Sequence, residues 1–101
     1  MEISPAQLKE RMDQGTAPLL IDVREDHEHE EFNIGGRLVP LGTLKTAVEQ
    51  LDIEKEAEIV VYCRSGGRSG MAQKILQSAG FNSVLNLAGG MLAWQDEFSQ
   101  D

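Results

Sequence analysis

The chain has 101 residues, one cysteine and a formal net charge of −8, from 17 acidic and 9 basic side chains. This length predicts one domain over residues 1–101 with a single modest core. One cysteine excludes an intramolecular disulfide and a thiolate-rich metal site, and the acidic balance argues against binding to nucleic acid or to an anionic membrane surface. No apolar run is long enough to span a bilayer, and the N-terminal residues lack the pattern of a signal peptide. We therefore expect a cytoplasmic protein.

The first elements predicted along the chain are a short edge strand, a helix and a buried strand. The edge strand is Glu2–Ile3. A helix start follows at Ser4-Pro5-Ala6-Gln7, where a serine cap, a proline in the first turn and a glutamine placed for a capping box occur together. Gly15 supplies the stop of this helix. The apolar run Leu19–Ile21 predicts a strand that ends at Asp22.

The middle of the chain begins with an acidic segment. Glu25–Glu31 holds five acidic residues and both histidines, and we interpret it as a solvent-exposed helix. His27 and His29 are two residues apart, so they do not share a helix face and do not predict a metal site. A short strand is favoured at Leu38–Val39, and apolar residues at helical spacing over Leu44–Leu51 predict another helix.

The remaining elements alternate between strand and helix. They are Ile59–Tyr62, which ends at Cys63; Ser69–Ala79, closed by Gly80; Val84–Leu87, followed by Gly89-Gly90; and the short helix Met91–Phe98. Apolar strands alternating with helices indicate an α/β domain built around a buried parallel sheet. Ligands of such sheets bind beyond the carboxyl ends of the strands, and Asp22, Cys63 and the double glycine all lie at such ends.

The strongest local signal is the segment Cys63-Arg64-Ser65-Gly66-Gly67-Arg68-Ser69, at the junction of a predicted strand and a predicted helix. Its glycines let the backbone curl tightly, so that successive N–H groups and the helix N-terminus converge on an anion. A thiol flanked by Arg64 and Arg68 in this setting is expected to have a lowered pKa and to be largely thiolate. The segment therefore predicts a nucleophilic cysteine in an anion-binding loop.

Two other interpretations of this segment are open. A lone cysteine at the end of a strand is most often a small buried hydrophobic residue. A glycine-rich loop between strand and helix also suits a nucleotide phosphate, although the Walker spacing and its lysine are absent here. One cysteine, two glycines and two arginines within seven residues favour catalysis over both.

Three motifs, in this order, resemble the single-domain rhodanese-like sulfurtransferases. They are Ile21-Asp22-Val23-Arg24-Glu25, the cysteine segment, and Ala79–Trp94. The resemblance covers the chain from Ile3 to about Phe98. It implies a three-layer α/β domain with a five-stranded, mainly parallel sheet and helices on both faces. It also implies a sulfurtransferase that needs neither a metal nor an organic cofactor.

The resemblance assigns roles by position. Cys63 is the nucleophile that accepts sulfur. The active-site loop, whose amides surround a persulfide, consists of Arg64, Ser65, Gly66, Gly67, Arg68 and Ser69. Asp22 and Arg24 match an aspartate–arginine pair that supports the site structurally. One departure concerns the Gly-His-Ile type motif of most members, because this chain has Gly36 in the place of the histidine.

The expected reaction is a two-step transfer of sulfur. Cys63 takes the outer sulfur of thiosulfate or of another sulfane donor, and cyanide, a thiol or a protein then removes it. Arg64 and Arg68 are expected to attract the anionic donor against the net charge of −8. Alternatively, Arg68 braces the loop.

Two other activities compete with sulfur transfer. The first is a phosphatase or an arsenate reductase, since a group of dual-specificity phosphatases and some arsenate reductases share the implied fold. Tyrosine-phosphatase chemistry separates the cysteine from the arginine by five residues, whereas four separate Cys63 from Arg68. The shorter loop suits a persulfide sulfur better than a phosphoryl group. A non-catalytic interaction module of the same fold is the second alternative, and the retained cysteine weakens it.

Overall fold

The sheet holds five parallel strands within residues 1–98, which are the residues that the computed structural model describes. The strands are β1 (Glu2–Ile3), β2 (Leu19–Asp22), β3 (Arg37–Leu38), β4 (Glu58–Tyr62) and β5 (Ser83–Leu87). Their order across the sheet is β1-β5-β4-β2-β3, and each neighbouring pair is parallel. The expectation of a five-stranded, mainly parallel sheet is confirmed.

Helices connect the strands, as parallel pairing requires. They are α1 (Pro5–Asp13), α2 (Asp26–Glu31), α3 (Leu41–Ala47), α4 (Gly67–Ser78) and α5 (Gly90–Phe98), and a 3₁₀ turn at Val48–Gln50 extends α3. Each predicted helix is present, with boundaries shifted by a few residues. The capping box of α1 is formed as predicted, since Gln7 N donates to Ser4 Oγ at 3.1 Å and Ser4 N donates to Gln7 Oε1 at 2.9 Å.

Two apolar layers cover the sheet, one on each face. The layer that contains α3 and α4 buries Leu44 and Leu76 against the sheet, together with Cys63. The opposite layer contains α1 and α5 and buries Leu8 and Trp94. Because both faces are covered, β4 has alternate residues in different layers and is apolar along most of its length. The three-layer α/β fold is thus confirmed.

Tyr62 and Cys63 point to opposite faces, as their adjacent positions predict. The Tyr62 ring lies against Gly36, where an added Cβ would come within 2.7 Å of the ring. The Gly36 amide also donates to the Tyr62 hydroxyl at 3.2 Å. A side chain at position 36, where the resemblance leads us to expect histidine, would therefore collide with the Tyr62 ring as it lies here.

The carboxyl ends of β2, β4 and β5 lie side by side. Asp22 is in register with Tyr62, and Val61 is in register with Asn86. The segments after these strands therefore meet at one edge of the sheet, where ligands of parallel sheets bind. None of the helices within residues 1–98 combines the length and the apolar character needed to cross a membrane.

Candidate active site

The segment Cys63–Ser69, called the cysteine loop below, wraps around the sulfur of Cys63. Cys63 follows β4 directly and is 1% exposed. Gly66 N donates to Cys63 Sγ at 3.0 Å, and Ser69 N donates to it at 3.4 Å. Gly66 has φ +114°, a conformation that favours glycine, and it is the N-cap of α4. Two backbone amides of the loop therefore converge on the Cys63 sulfur, while the binding of an anion by this loop stays a prediction.

The N-terminus of α5 holds the outer side of the same loop. Met91 N donates to Cys63 O and Leu92 N donates to Arg64 O, both at 2.9 Å. Gly90 allows this approach, because its φ is +59° and an added Cβ would lie 2.5 Å from Cys63 O. The double glycine thus lets α5 bind the loop carbonyls on one side while loop amides face the sulfur on the other.

The environment of Cys63 favours the thiolate. Burial raises the pKa of the Cys63 thiol, but hydrogen bonds from the Ser69 hydroxyl and from the backbone of Ser69, Gly66 and Ser65 outweigh burial and hold the pKa below its ordinary value. The leading favourable contributions are hydrogen bonds within the loop, whereas the sequence pointed to the flanking arginines. The thiolate form of Cys63 is therefore favoured chiefly by neutral donors.

The two arginines of the loop have different surroundings. Arg68 makes a bidentate ion pair with Glu28 on α2, at 2.7 and 2.9 Å. Its guanidinium holds the pKa of the Glu28 carboxyl at about 2, so the pair stays charged at neutral pH. Arg64 is exposed and takes part in no ion pair among residues 1–98. Of the two roles considered for Arg68, bracing of the loop fits this geometry. Attraction of an anion by Arg64 stays a prediction.

A buried charge cluster lies at the end of β2. The Asp22 carboxylate is fully buried and accepts hydrogen bonds from Arg24 Nε at 2.9 Å and Arg24 Nη2 at 2.8 Å. Burial raises the pKa of Asp22, but the bonds from Arg24 and His29 outweigh it and hold the pKa below its ordinary value. Arg24 also donates to Phe32 O at 2.6 Å. The pair thus fastens the C-terminal end of α2 to the sheet, beside the cysteine loop.

His29 and Glu28 depart from the sequence-based interpretation of their segment. That segment is helical, but these two residues turn inward: His29 Nδ1 lies 2.8 Å from Asp22 Oδ2, and Glu28 pairs with Arg68. The interpretation of the whole segment as a solvent-exposed helix is therefore wrong for this face. Nothing in the local pattern distinguishes the inward face, because acids surround both residues.

An open groove of about 470 Å³ lies between α2 and α5, beside the cysteine loop. Arg64 lines one side of it, and Glu28 and Glu31 line the side formed by α2. Phe32 and Leu92 add apolar surface. No group of three or more histidine, cysteine, aspartate or glutamate side chains within the described residues is arranged to hold a metal ion.

The sequence-based prediction named the residues of the cysteine loop but not Asn86, whose side chain contacts that loop. Ser65 and Gly67 are exposed, while Ser69 is fully buried beside Cys63. Asn86 of β5 was not predicted, although it reaches the loop with both polar atoms of its side chain. Its only signal was a polar residue within the predicted strand Val84–Leu87, whose other residues are apolar.

Comparisons with known proteins show the family of the chain. The family model described as the rhodanese-like domain matches residues 4–97. A relative from Bacillus subtilis strain 168, named "Putative sulfurtransferase YtwF", is 43% identical over 97 residues, covering 95% of this chain and 91% of the relative. A protein of Allochromatium vinosum named "Sulfurtransferase" is 35% identical, covering 92% of this chain and 86% of its own length.

A solved structure extends the comparison to the fold. The human single-domain sulfurtransferase TSTD1 superposes with a TM-score of 0.81 at 25% identity, covering 95% of this chain and 96% of the other. The chain belongs to the rhodanese-like domain family, which the match over residues 4–97 defines.

Proposed function

We propose that the protein is a sulfurtransferase that moves a sulfane sulfur through a persulfide on Cys63. The observation that carries the proposal is the position of Cys63 Sγ, which receives hydrogen bonds from Gly66 N at 3.0 Å and Ser69 N at 3.4 Å at the start of α4. The family and the names of its relatives support the same chemistry. The predicted cytoplasmic location stays a prediction.

The first half-reaction loads the cysteine. The Cys63 thiolate attacks the outer sulfur of thiosulfate, the sulfur–sulfur bond of the donor breaks, and sulfite leaves with the electron pair of that bond. The product is a persulfide whose terminal sulfur carries the negative charge. The N–H donors that stabilise the thiolate are expected to stabilise this anion as well, because they converge on Sγ, to which the terminal sulfur is bonded.

The second half-reaction unloads the cysteine. A thiophilic acceptor attacks the terminal sulfur, the bond between the two sulfurs breaks, and Cys63 leaves as the thiolate. Cyanide becomes thiocyanate in this step, whereas a small thiol or a cysteine of a partner protein becomes a persulfide. No redox cofactor takes part, because each step moves one sulfur atom between nucleophiles.

The surroundings of Arg68 weigh against the phosphatase alternative. A phosphoryl group transferred to the cysteine needs a cation directed at its equatorial oxygens. In this chain the bidentate pair with Glu28 occupies both Nη atoms of Arg68. Sulfur transfer needs only the amide donors around Sγ, so it is the activity that these contacts favour.

Mass spectrometry of the intact protein after incubation with thiosulfate tests the proposal. We expect a gain of about one sulfur atom on Cys63 that cyanide or a thiol removes. Cys63→Ser is the matched control, since the chain has no other cysteine, and it should neither gain sulfur nor form thiocyanate. Turnover of an aryl phosphate without any sulfur adduct would contradict the proposal and would indicate a phosphatase. Absence of both the sulfur adduct and the turnover of aryl phosphate would favour the non-catalytic interaction module.

A further inference from the structure

Asn86 is a buried polar residue in the interior of the molecule. It lies on β5, it is 8% exposed, and its side chain is directed at the cysteine loop. Its Nδ2 donates to Gly66 O at 3.2 Å, and its Oδ1 accepts from the Ser69 hydroxyl at 2.6 Å.

The Ser69 hydroxyl has two acceptors and only one proton. Its Oγ lies 2.6 Å from Asn86 Oδ1 and 3.3 Å from Cys63 Sγ. When Cys63 is a neutral thiol, its S–H donates to Ser69 Oγ, and the Ser69 proton goes to Asn86. When Cys63 is a thiolate, it accepts only, and a hydrogen bond to a charged acceptor is stronger than one to a neutral amide.

We propose that Asn86 is a positioning residue for Cys63, because its Oδ1 competes with the sulfur for the single Ser69 proton. Ionisation releases the thiol proton to solvent and turns the Ser69 hydroxyl toward the sulfur. Asn86 Oδ1, which has no other donor among the described residues, is then left unsatisfied in a buried position. In the persulfide, Sγ no longer carries the charge, and the hydroxyl returns to Asn86.

The charged groups near the sulfur do not take part in this competition. Arg68 of α4 is paired with Glu28 of α2, and this pair, with a smaller contribution from the charge of Cys63, raises the pKa of the Arg68 guanidinium. Arg64 lies in the loop itself. The contacts from β5 and from the start of α5 come from Asn86 and from backbone amides, which are uncharged.

The two functions of the Asn86 amide are separable. Without its Nδ2, Gly66 O keeps the bond from Gly70 N at 3.0 Å, and the α5 amides still hold the outer carbonyls of the loop. The backbone donors to Sγ therefore stay in place when Asn86 is replaced by leucine, which has nearly the same shape. What Asn86→Leu removes is the competing acceptor for the Ser69 proton.

The test is a titration of Cys63, the only thiol of the chain. Thiolate absorbance and the rate of alkylation by iodoacetamide are followed from about pH 5 to about pH 9. We expect Cys63 of Asn86→Leu to ionise at lower pH and to be alkylated about three- to tenfold faster below the titration midpoint.

Asn86→Asp should shift the ionisation of Cys63 in the opposite direction, because a carboxylate binds the Ser69 proton more strongly and adds negative charge. Gln77→Glu, on an exposed part of α4, is the control for added charge.

Ser69→Ala decides whether the effect passes through the hydroxyl. In that background Asn86→Leu should change neither the titration midpoint nor the alkylation rate. The inference is overturned if Asn86→Leu leaves the midpoint unchanged or raises it, or if its effect persists in Ser69→Ala. Should Asn86→Leu fail to unfold cooperatively, the inference is overturned instead by an Asn86→Asp titration midpoint equal to that of Gln77→Glu.

The inference rests on the proposed function, in which the Cys63 thiolate is the reacting group, but the titration needs no sulfur donor. Failure of persulfide formation is thus a separate result.

Discussion

The two sides of the cysteine loop are built from different kinds of interaction. On the side of α4 and β5, the sulfur meets neutral groups: two backbone amides, the Ser69 hydroxyl and, through it, Asn86. On the side of α2 and β2, ion pairs predominate: Arg68 with Glu28, and Arg24 with Asp22. The neutral side is in contact with the reacting atom, whereas the charged side holds the elements around it.

This difference has a physical reason. A formal positive charge in direct contact with the sulfur would stabilise the thiolate strongly and would also make it a weaker nucleophile. Amides and a hydroxyl stabilise the anion less strongly and impose direction. The two ion pairs hold the surrounding elements in different ways. The Arg68–Glu28 pair joins α4 to α2, whereas loss of either member of the buried Arg24–Asp22 pair would leave a buried charge without its partner.

Asp22→Ala should have the largest effect on stability of the changes considered. The Asp22 side chain is fully buried and its partner Arg24 is 6% exposed, so the substitution leaves a buried guanidinium without its carboxylate. We expect a loss of about 3–5 kcal/mol in the free energy of unfolding, measured by urea denaturation. Asp52→Ala removes an exposed carboxylate and should change stability by less than about 0.5 kcal/mol. Equal small losses in both variants would mean that the buried pair does not fasten the site.

The pH dependence of that loss follows from the lowered pKa of Asp22. A carboxyl whose pKa is lower in the folded state stabilises the fold above its unfolded pKa, and this contribution disappears as the pH falls through the folded value. The difference in stability between the unmodified protein and Asp22→Ala should therefore be constant above about pH 5 and shrink below about pH 4. A difference that grows on acidification would contradict the assigned direction.

The sequence predicted the fold better than it predicted the contacts of Arg68 with Glu28 and of Ser69 with Asn86. The alternation of apolar strands with helices, the Ser4 cap and the glycines of the loop are local patterns, and local patterns carry secondary structure. Arg68 and Glu28 are 40 residues apart, and Ser69 and Asn86 are 17 apart. Their contact depends on the order of the strands and on which face of each helix turns inward. The resemblance to a family supplied the loop, but it assigned no role to Glu28, His29 or Asn86.

Ser69→Ala tests the neutral side of the comparison. The substitution removes the hydroxyl that lies 3.3 Å from Cys63 Sγ, while the Ser69 amide stays. Because this hydroxyl helps to hold the pKa of Cys63 below its ordinary value, we expect the thiol to ionise at higher pH and to react about tenfold more slowly with iodoacetamide near pH 7. Stability should fall by much less than in Asp22→Ala. A variant that loses stability but keeps the thiol reactivity would assign Ser69 a packing role only.

The smallest expected effects separate the two arginines of the loop. Arg64→Ala should raise the KM for thiosulfate a few-fold through loss of local attraction for the anion, with an unchanged midpoint of thermal unfolding. Arg68→Ala should instead lower stability by about 0.5–1 kcal/mol, because its partly exposed pair with Glu28 is lost. Its KM should rise less than that of Arg64→Ala, because the charge removed was already neutralised by Glu28. The variants carry the same substitution within one loop, so each is the control for the other. Equal increases in KM with equal stabilities would erase the distinction between the arginine that faces the groove and the arginine that braces the loop.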